Sequence, residues 1–266
     1  MNHTIKQNDT MQNITIIKVG GAIVEDNDRL NDLLDRFAGL DGPKVLVHGG
    51  GRRATKVASA LGIETKMVDG RRVTDADMLE VVTMVYGGLV NKNIVARLQA
   101  RGVNALGLTG ADMNVMLSHR RPPRNGVDYG FVGDIDQADG QALASLLERG
   151  VIPVMAPLTH DGKGLLLNTN ADTIAAETAK ALTPFFDVTL VYCFEKAGVL
   201  ANPEDDGSVI PVITKDDFAT LTANGTISGG MKPKIENALA AVAKGVRRVI
   251  ITKAEALGSN GGTTIE

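Results

Sequence analysis

One stretch near the start of the chain decides its fold: Ile14-Thr15-Ile16-Ile17-Lys18-Val19-Gly20-Gly21. It is an apolar, β-branched run that stops at two glycines, which is typical of a buried strand followed by a tight turn. Lys18 lies near the end of this run, where an unpaired ammonium group is costly to bury. The pattern therefore predicts a buried strand whose lysine meets a negatively charged group.

A second run of the same kind is Val45-Leu46-Val47-His48-Gly49-Gly50-Gly51, and Leu30, Leu33, Leu34 and Phe37 recur between the two at helical spacing. Strands are also predicted at residues 103–108, 151–156, 188–192 and 247–251, and a hairpin at 115–119 and 129–135. Further helices are predicted at residues 52–61, 75–99, 141–149, 171–182, 215–223 and 233–244. This alternation predicts an α/β fold with a mainly parallel sheet covered on both faces.

Composition narrows the class of protein. The chain of 266 residues can bury a substantial core, and its net charge of −3 argues against nucleic acid or an anionic membrane as partner. A single cysteine, Cys193, excludes an internal disulfide and a cysteine-based zinc site. No apolar run approaches the roughly 18 residues of a membrane span, and residues 1–13 lack the apolar core of a secretory signal. We therefore expect a cytoplasmic protein.

The glycines point to phosphate. Neither familiar nucleotide-binding loop is present, so a phosphate site must be assembled differently. Gly20-Gly21 and Gly49-Gly50-Gly51 can present backbone N–H groups with no Cβ in the way, and the second cluster opens a predicted helix. Tight turns alone would explain either cluster. Lys18 beside the first of them favours an anion site at the carboxyl ends of the strands, where ligands of such sheets bind.

A second lysine signature, Ser228-Gly229-Gly230-Met231-Lys232-Pro233-Lys234, lies near the end of the chain. Proline is favoured in the first turn of a helix, so Lys232 and Lys234 are predicted at a helix N-terminus. Each cation there opposes the helix dipole at a cost of about 0.3–1 kcal/mol, which a bound phosphate would reverse. A solvated position suits Lys232 better than Lys234, because only one lysine need point inwards.

Two further segments carry candidate residues. In Asn168-Thr169-Asn170-Ala171-Asp172, an N-cap at Asn170 and an ordinary first-turn acid are the common explanation, but Asp172 could also hold two lysines in position and Asn168 could bind a substrate. In Arg71-Arg72-Val73-Thr74, an arginine could grip a carboxylate or simply be solvated. His48 is predicted to be packed rather than a base, since a carboxylate acceptor is already ionised at pH 7.

Together, five segments resemble the amino-acid kinase family over residues 14–266: Lys18 to Gly21, Val47 to Gly51, Gly70 to Thr74, Asn168 to Asp172 and Gly229 to Lys234. The resemblance implies an open αβα sandwich with an acceptor-binding and dimerisation lobe at residues 14–183 and a nucleotide-binding lobe at residues 184–266. It implies ATP with Mg²⁺ as donor. The reaction implied is phosphorylation of the side-chain carboxylate of N-acetyl-L-glutamate, or a related N-acylglutamate, in arginine biosynthesis.

The resemblance also implies roles for individual residues. Two lysines would stabilise the transferring phosphoryl group and contact the nucleotide: Lys18 and Lys234. Backbone groups would donate to the phosphoryl group at Gly21 and Gly50, and Asp172 would orient the lysines. The amino acid would be held by Gly50, Gly51, Arg72 and Asn168. The nucleotide would also contact Glu195 and Gly230, and no metal is expected to be held by the protein itself.

Two segments depart from the family pattern. Cys193-Phe194-Glu195-Lys196 stands where Thr/Ser-Asp-Val is usual, so Glu195 is expected to replace the aspartate. Ala111-Asp112-Met113-Asn114 stands where Lys/Ala-Asp-Gly-Gly is usual, and the hairpin after it carries Arg120, Arg121 and Arg124. A solvated basic turn explains these arginines. A second hypothesis is that the hairpin accommodates a different acyl group, such as succinyl, whose extra carboxylate would attract a cation.

Alternatives remain open on the sequence alone. Another family member could act on free glutamate, aspartate, carbamate or UMP, although the Gly70 to Thr74 segment and the Asn168/Asp172 pair favour N-acylglutamate. A non-catalytic amino-acid sensor could keep the fold, but mere binding does not need Lys18, Asp172 and Lys234 together. Family members are dimers or hexamers, and the polar tail at residues 1–10 predicts a homodimer without arginine feedback.

Overall fold

The structure of the protein, a computed structural model, describes residues 11–68, 70–228, 231–259 and 261–266. The polar tail at residues 1–10, on which the expectation about arginine feedback depends, lies outside the described residues.

The strands follow the predicted alternation with helices. They are β1 (Asn13–Val19), β2 (Lys44–His48), β3 (Met67–Val68), β4 (Arg71–Arg72), β5 (Ala105–Leu108), β6 (Met116–Arg120), β7 (Gly133–Ala138), β8 (Ile152–Met155), β9 (Leu158–His160), β10 (Leu166–Asn168), β11 (Asp187–Phe194), β12 (Val212–Ile213), β13 (Arg248–Lys253) and β14 (Thr263–Ile265). The helices are α1 (Gly21–Glu25), α2 (Asn27–Gly39), α3 (Gly51–Ala60), α4 (Ala76–Val82), α5 (Asn91–Gln99), α6 (Gly140–Glu148), α7 (Ala171–Leu182), α8 (Lys215–Ala223) and α9 (Met231–Val242).

The described strands form a central eight-stranded sheet in the order β12-β14-β13-β11-β1-β2-β8-β5. Neighbours run parallel except β13 and β14. Val19 pairs with His48, so the carboxyl ends of β1 and β2 lie side by side. The two glycine turns that follow these strands are therefore adjacent, at the edge of the sheet where the sequence predicts a ligand.

Alternating residues of β1 separate the two faces of the sheet. Ile14 and Ile16 pack into a cluster with α6, α7 and α9, whereas Ile17 and Val19 pack into a second cluster with α1 to α5. Two helical layers thus enclose the sheet, and the predicted αβα sandwich is confirmed. None of the helices in the described ranges is long and apolar enough to cross a lipid bilayer.

Strand order separates the chain into two parts along the sheet. One half of the sheet is built from β1, β2, β5 and β8, and the other from β11 to β14. The two parts share one continuous sheet. Their division into functional lobes at residue 184 stays a prediction.

A smaller sheet, in the order β10-β9-β6-β7, carries the predicted hairpin as the antiparallel pair β6 and β7. Its second strand was predicted at residues 129–135, and this is wrong at the start of the strand. Thr74 donates its N–H to Tyr129 O, at 2.9 Å, and accepts from the N–H of Phe131, at 2.6 Å. Residues 129–131 therefore pair with the segment after β4, and β7 begins only at Gly133.

The predicted helix at residues 75–99 is interrupted. A π-helical segment, Thr83–Val90, lies between α4 and α5 and contains Gly87 and Gly88. Glycine is a weak helix former, and π turns are inserted where packing requires a wider turn. The sequence pattern also missed several short strands: β9, β10, β12 and β14.

Candidate functional site

The centre of the site is an ion pair between β1 and α7. Lys18 is only 7% exposed and lies on the face of β1 that carries Ile14 and Ile16. Its Nζ is 2.7 Å from Oδ1 of Asp172, in the first turn of α7. Burying an ammonium group without a partner costs several kcal/mol. Asp172 is therefore the negatively charged partner that the buried position of Lys18 requires.

The N-terminus of α7 is fixed by its own sequence. Asn170 is the N-cap, and its Oδ1 accepts from the N–H of Asp172 at 2.8 Å and of Thr173 at 3.2 Å. This is the ordinary capping role predicted for Asn170. Tyr192 donates its hydroxyl to the backbone carbonyl of Asp172 at 3.3 Å. The carboxylate of Asp172 therefore sits on a helix end that is held from both sides.

Lys234 reaches the same place from α9. Its Nζ lies 3.9 Å from the centroid of the Phe194 ring, and the Nζ of Lys18 lies 5.3 Å from the same centroid. Burial lowers the pKa of Lys234, while the charge of Asp172 raises it. The two ammonium groups therefore share one cleft, with an aromatic ring and a carboxylate between the elements that carry them.

The glycine turns close one side of this cleft. Gly49 donates its N–H to Val19 O at 3.0 Å, and a Cβ on Gly49 would lie 3.1 Å from the N atom of Gly21. A Cβ on Gly50 would lie 2.8 Å from Cδ1 of Tyr86, closer than real Cβ atoms approach. Absence of side chains thus lets the two turns pack against each other at the start of α1 and α3.

Two cavities meet at these turns. We name the first the Arg72 cavity; it has a volume of about 210 Å³ and is lined by Gly50, Gly51, Arg72, Tyr86 and Asn168, among others. The second, the Lys234 cavity, has a volume of about 410 Å³ and is lined by Gly20, Gly21, Gly51, Phe194, Glu195 and Lys234, among others. Gly51 lines both. The predicted acceptor-binding residues thus fall in one cavity, and Glu195 and Lys234 in the other.

Arg72 is held rigidly before any ligand arrives. It is 9% exposed, and its Nη2 donates to Gly51 O and to Thr55 Oγ1, each at 2.8 Å. Asn168, at the end of β10, donates its side-chain N–H to Thr74 Oγ1 at 2.9 Å. Arg72 and Asn168 therefore project into their cavity as fixed polar groups.

Comparison with known proteins agrees with this geometry. The sequence profile of the Amino acid kinase family matches residues 13–253. The chain belongs to the amino acid kinase family. The chain is 64% identical over 255 residues to the Acetylglutamate kinase of Bacteroides thetaiotaomicron, an alignment that covers 96% of this chain and 99% of the relative.

Two solved structures share the fold of this amino acid kinase. One is N-acetylglutamate synthase from Neisseria gonorrhoeae complexed with coenzyme A and N-acetyl-glutamate, with a TM-score of 0.79 and 24% identity, covering 96% of this chain and 59% of that chain. The other is smu.665 from Streptococcus mutans UA159, with a TM-score of 0.74 and 30% identity, covering 95% of this chain and 98% of that chain.

One predicted site residue cannot be placed: Gly230 lies outside the described residues. Glu195 is exposed at the rim of the Lys234 cavity. Lys232 is also exposed, as expected for the lysine that does not point inwards.

The expectation that the arginines of the hairpin are solvated is wrong for Arg121 and holds for Arg120 and Arg124, which are exposed. Arg120 pairs with Asp128 at 3.1 Å. Arg121 is half-buried, and its Nε lies 3.0 Å from Asp134 Oδ1, a hydrogen bond that lowers the pKa of Asp134. Arg124 is exposed.

The hairpin also encloses space. A cavity of about 500 Å³ is lined by Arg71, Arg121, Pro122, Pro123, Arg124, Asn125, Val127, Tyr129 and Asp134, and we name it the Arg124 cavity. Arg71 and Arg121 line both this cavity and the Arg72 cavity. The two cavities are therefore contiguous.

Sequence reasoning missed two aromatic residues of the site. Tyr86 is carried by the π-helical segment to the wall of the Arg72 cavity, and Phe194 reaches the lysines because β11 pairs with β1. The adjacent glycines, Gly87 and Gly88, were the available signal for the first. No local signal marks the second, since it depends on which strands pair.

His48 is packed, as predicted. It is fully buried, its Nδ1 lies 2.8 Å from Gly49 O, and its Nε2 lies 3.1 Å from Asn91 Nδ2. Burial lowers the pKa of His48 from 6.5 to about 4. The imidazole is therefore neutral at neutral pH and links β2 to α5.

This pKa predicts how stability depends on pH. Below pH 6.5 the unfolded chain takes up a proton at His48, whereas the folded chain does not until about pH 4. Stability due to His48 is thus complete above pH 6.5 and is lost as pH falls towards 4. Between pH 7 and 5, we expect wild type to lose about 2 kcal/mol more free energy of unfolding than His48→Gln. Urea unfolding at pH 7, 6 and 5 measures this, and parallel pH profiles would contradict it.

Proposed function

We propose that this amino acid kinase uses ATP to phosphorylate the side-chain carboxylate of N-acetyl-L-glutamate, a step of arginine biosynthesis. One observation carries the proposal: Lys18, paired with Asp172, and Lys234 approach the same Phe194 ring, and Lys234 lines the cavity that shares Gly51 with the Arg72 cavity. The 64% identity to an Acetylglutamate kinase over nearly the whole chain supports this acceptor. We also place the enzyme in the cytoplasm, in keeping with a single cysteine, Cys193, that is free and buried.

The Arg72 cavity is the proposed acceptor site. A guanidinium group recognises a carboxylate through a planar fork of N–H donors. The Nη2 of Arg72 donates to Gly51 O and Thr55 Oγ1, and its Nη1 donates to Thr65 Oγ1 and Met78 Sδ, so these bonds fix the plane of the guanidinium and little side-chain entropy is lost on binding. A carboxylate would bind at Nε or take the place of some of these partners. Asn168 and the N–H groups of Gly50 and Gly51 would complete the grip on the amino acid.

The Lys234 cavity is the proposed ATP site. Its walls combine glycine backbone, helix N-termini and an inward lysine, which together suit a polyphosphate. Glu195 would contact the nucleotide there, and Mg²⁺ would arrive with ATP as part of the substrate. The volume of about 410 Å³ is within the range of small-molecule sites.

Phosphoryl transfer needs few chemical steps. A carboxylate oxygen of the acceptor attacks the γ-phosphorus of ATP, the bond from that phosphorus to the β–γ bridging oxygen breaks, and ADP leaves with the electron pair. No proton moves, because a carboxylate is ionised at neutral pH. Catalysis then consists of positioning and charge stabilisation.

The residues of the cleft divide this work. Lys18 and Lys234 would neutralise charge on the transferring group, and the N–H groups of Gly21 and Gly50 would donate to its oxygens. Asp172 contacts only Lys18 as an ion pair within the described residues, and it acts on Lys234 through its charge at longer range. Asp172 is thus proposed to orient Lys18 directly and Lys234 indirectly.

A second candidate acceptor is an N-acylglutamate whose acyl group ends in a carboxylate, such as N-succinyl-glutamate. The observation in its favour is the contiguity of the Arg72 cavity with the arginine-lined Arg124 cavity. Arg121 already has a carboxylate partner in Asp134, whereas Arg124 forms no ion pair with any described residue. Arg124 is therefore the cation that would meet the additional carboxylate.

We propose that the enzyme is a homodimer. Met84 and Leu89 are exposed on the π-helical segment, and Leu106 is exposed on β5, the last strand of the sheet on that side. β5 packs on α5, the helix that follows Met84 and Leu89. Exposed apolar side chains beside an unpaired strand edge are features that a second copy of the chain can cover.

Removing the inward lysine tests the proposed chemistry. Lys234→Ala should lower kcat by roughly 10²–10³-fold, as expected for the loss of one preorganised electrostatic donor. Lys232→Ala is the matched control, because that lysine is exposed on the same helix, and it should keep wild-type turnover. Equal kcat in the two variants, measured by ADP release, would remove Lys234 from the chemistry.

A substrate panel tests the acceptor. We expect ADP release with an N-acylglutamate and little with glutamate, aspartate, carbamate or UMP. If the acyl group reaches the Arg124 cavity, Arg124→Gln should raise KM for N-succinyl-glutamate and leave KM for N-acetyl-glutamate unchanged, while the exposed Arg149→Gln changes neither. No turnover of the succinyl compound would end the second candidate. Tight binding of acylglutamates with no ADP release would favour a sensor instead.

Placing charges on these exposed apolar side chains tests assembly. Sedimentation of the wild type should give the mass of two chains. The double variant Leu89→Asp/Leu106→Asp should give the mass of one chain. Leu61→Asp is the control, since Leu61 is 57% exposed on α3's far end and should leave the mass unchanged. A monomeric wild type would refute the dimer.

A further inference from the structure

The structure brings both lysines to one aromatic ring, and the function proposed above does not account for it. Phe194 is the last residue of β11, and Tyr192 two residues earlier pairs in register with Lys18. Side chains two apart on a strand share a face, so Phe194 points to the side of the sheet that Lys18 occupies. The rings of Tyr192 and Phe194 are stacked, with their centroids 5.9 Å apart and an angle of 12° between their planes. Tyr192 therefore fixes the orientation of the Phe194 ring.

The distances are those of cation–π contacts. The ring centroid lies 3.9 Å from the Nζ of Lys234 and 5.3 Å from the Nζ of Lys18. An ammonium group within about 6 Å of a phenyl centroid is attracted to the negative face of the ring. The attraction is strongest where water is excluded, and Lys234 is half-buried.

Charge explains why a ring is useful here. Lys18 has Asp172 at 2.7 Å, but no carboxylate among the described residues forms an ion pair with Lys234. The positive charge of Lys18 also repels Lys234. Without a further attraction, Lys234 would gain hydration by turning outwards to solvent until the nucleotide arrives.

We propose that Phe194 is a positioning residue, which holds the ammonium group of Lys234 in the cleft beside Lys18 before ATP binds. Since the ring carries no charge, it attracts the lysine without competing for it once a phosphoryl group arrives. A carboxylate in the same place would form a strong ion pair that phosphate must break. This inference rests on the proposed function for its effect on turnover, but not for its effect on Lys234.

A fluorination series separates the ring's electrostatics from its packing. Phe194 is replaced by 4-fluoro-, 3,5-difluoro- and 3,4,5-trifluoro-phenylalanine, which nearly keep the shape of the ring while removing its negative face. We expect kcat to fall stepwise, by roughly 2- to 30-fold over the series, with KM for the acceptor unchanged. Phe194→Tyr should keep turnover, and Phe194→Leu should lose at least as much as the trifluoro ring.

The control is the same series at Phe186, which is buried in the core cluster on the same face of the sheet. Fluorination there should leave kcat unchanged. If kcat is equally unchanged across the series at Phe194, the proposal is overturned and the ring has only a packing role.

A second readout does not depend on activity. NMR of the lysine side chains gives the pKa of Lys234 in the free protein, which should fall stepwise with fluorination because the charged form loses its attraction. A constant pKa would overturn the proposal even if kcat fell. If the pKa of Lys234 falls while kcat stays constant, the ring attracts the lysine but this attraction does not contribute to turnover, and the positioning role is overturned. If no acylglutamate is turned over by the wild type, the proposed function fails while the pKa series still decides the role of Phe194.

Discussion

The structure depends on one buried charge, the ammonium group of Lys18 on the central strand β1. Because a lone cation there would be costly, a carboxylate must be brought to the carboxyl end of β1. The helix α7, on the face that carries Ile14 and Ile16, supplies it with Asp172 in its first turn. That requirement places the N-terminus of α7 at the cleft. Breaking one partner of such a pair leaves the other uncompensated, which is far more destabilising than the pair is stabilising.

The same geometry separates the two proposed substrates. Strands β1 and β2 are adjacent and parallel, so their glycine turns lie side by side and α1 and α3 begin at the same edge of the sheet. Gly51 opens α3 and lines both cavities, and its carbonyl also holds Arg72 in place. The proposed point of transfer therefore lies beside Gly51, where the proposed acceptor and donor cavities share a wall. Because the pairing of β1 with β2 brings two glycine turns together, backbone N–H groups can face a phosphate here without a dedicated phosphate-binding loop.

Local sequence patterns correctly predicted the elements that depend on neighbouring residues alone. The apolar runs gave β1 and β2, and the cap at Asn170 gave the first residue of α7. What failed depends on residues far apart in the chain. Strand β7 was placed too early because Thr74, some distance earlier in sequence, takes the backbone groups of residues 129–131. The same limit applies to the site: Lys18, Asp172, Arg72 and Asn168 were chosen by type and position, whereas Phe194 becomes visible only through the pairing of β1 with β11.

The side chains of β11 beside the two lysines add no negative charge to the cleft. Burial raises the pKa of the Cys193 thiol to about 12 and raises the pKa of the Tyr192 hydroxyl above its usual range. Both groups are neutral at neutral pH at their ordinary pKa values, and burial keeps them neutral to higher pH, so neither adds negative charge beside the lysines. Around the Phe194 ring, two ammonium groups face one carboxylate, which leaves an excess of positive charge. An anion that enters between the cavities restores neutrality there, and a phosphoryl group in transit is such an anion.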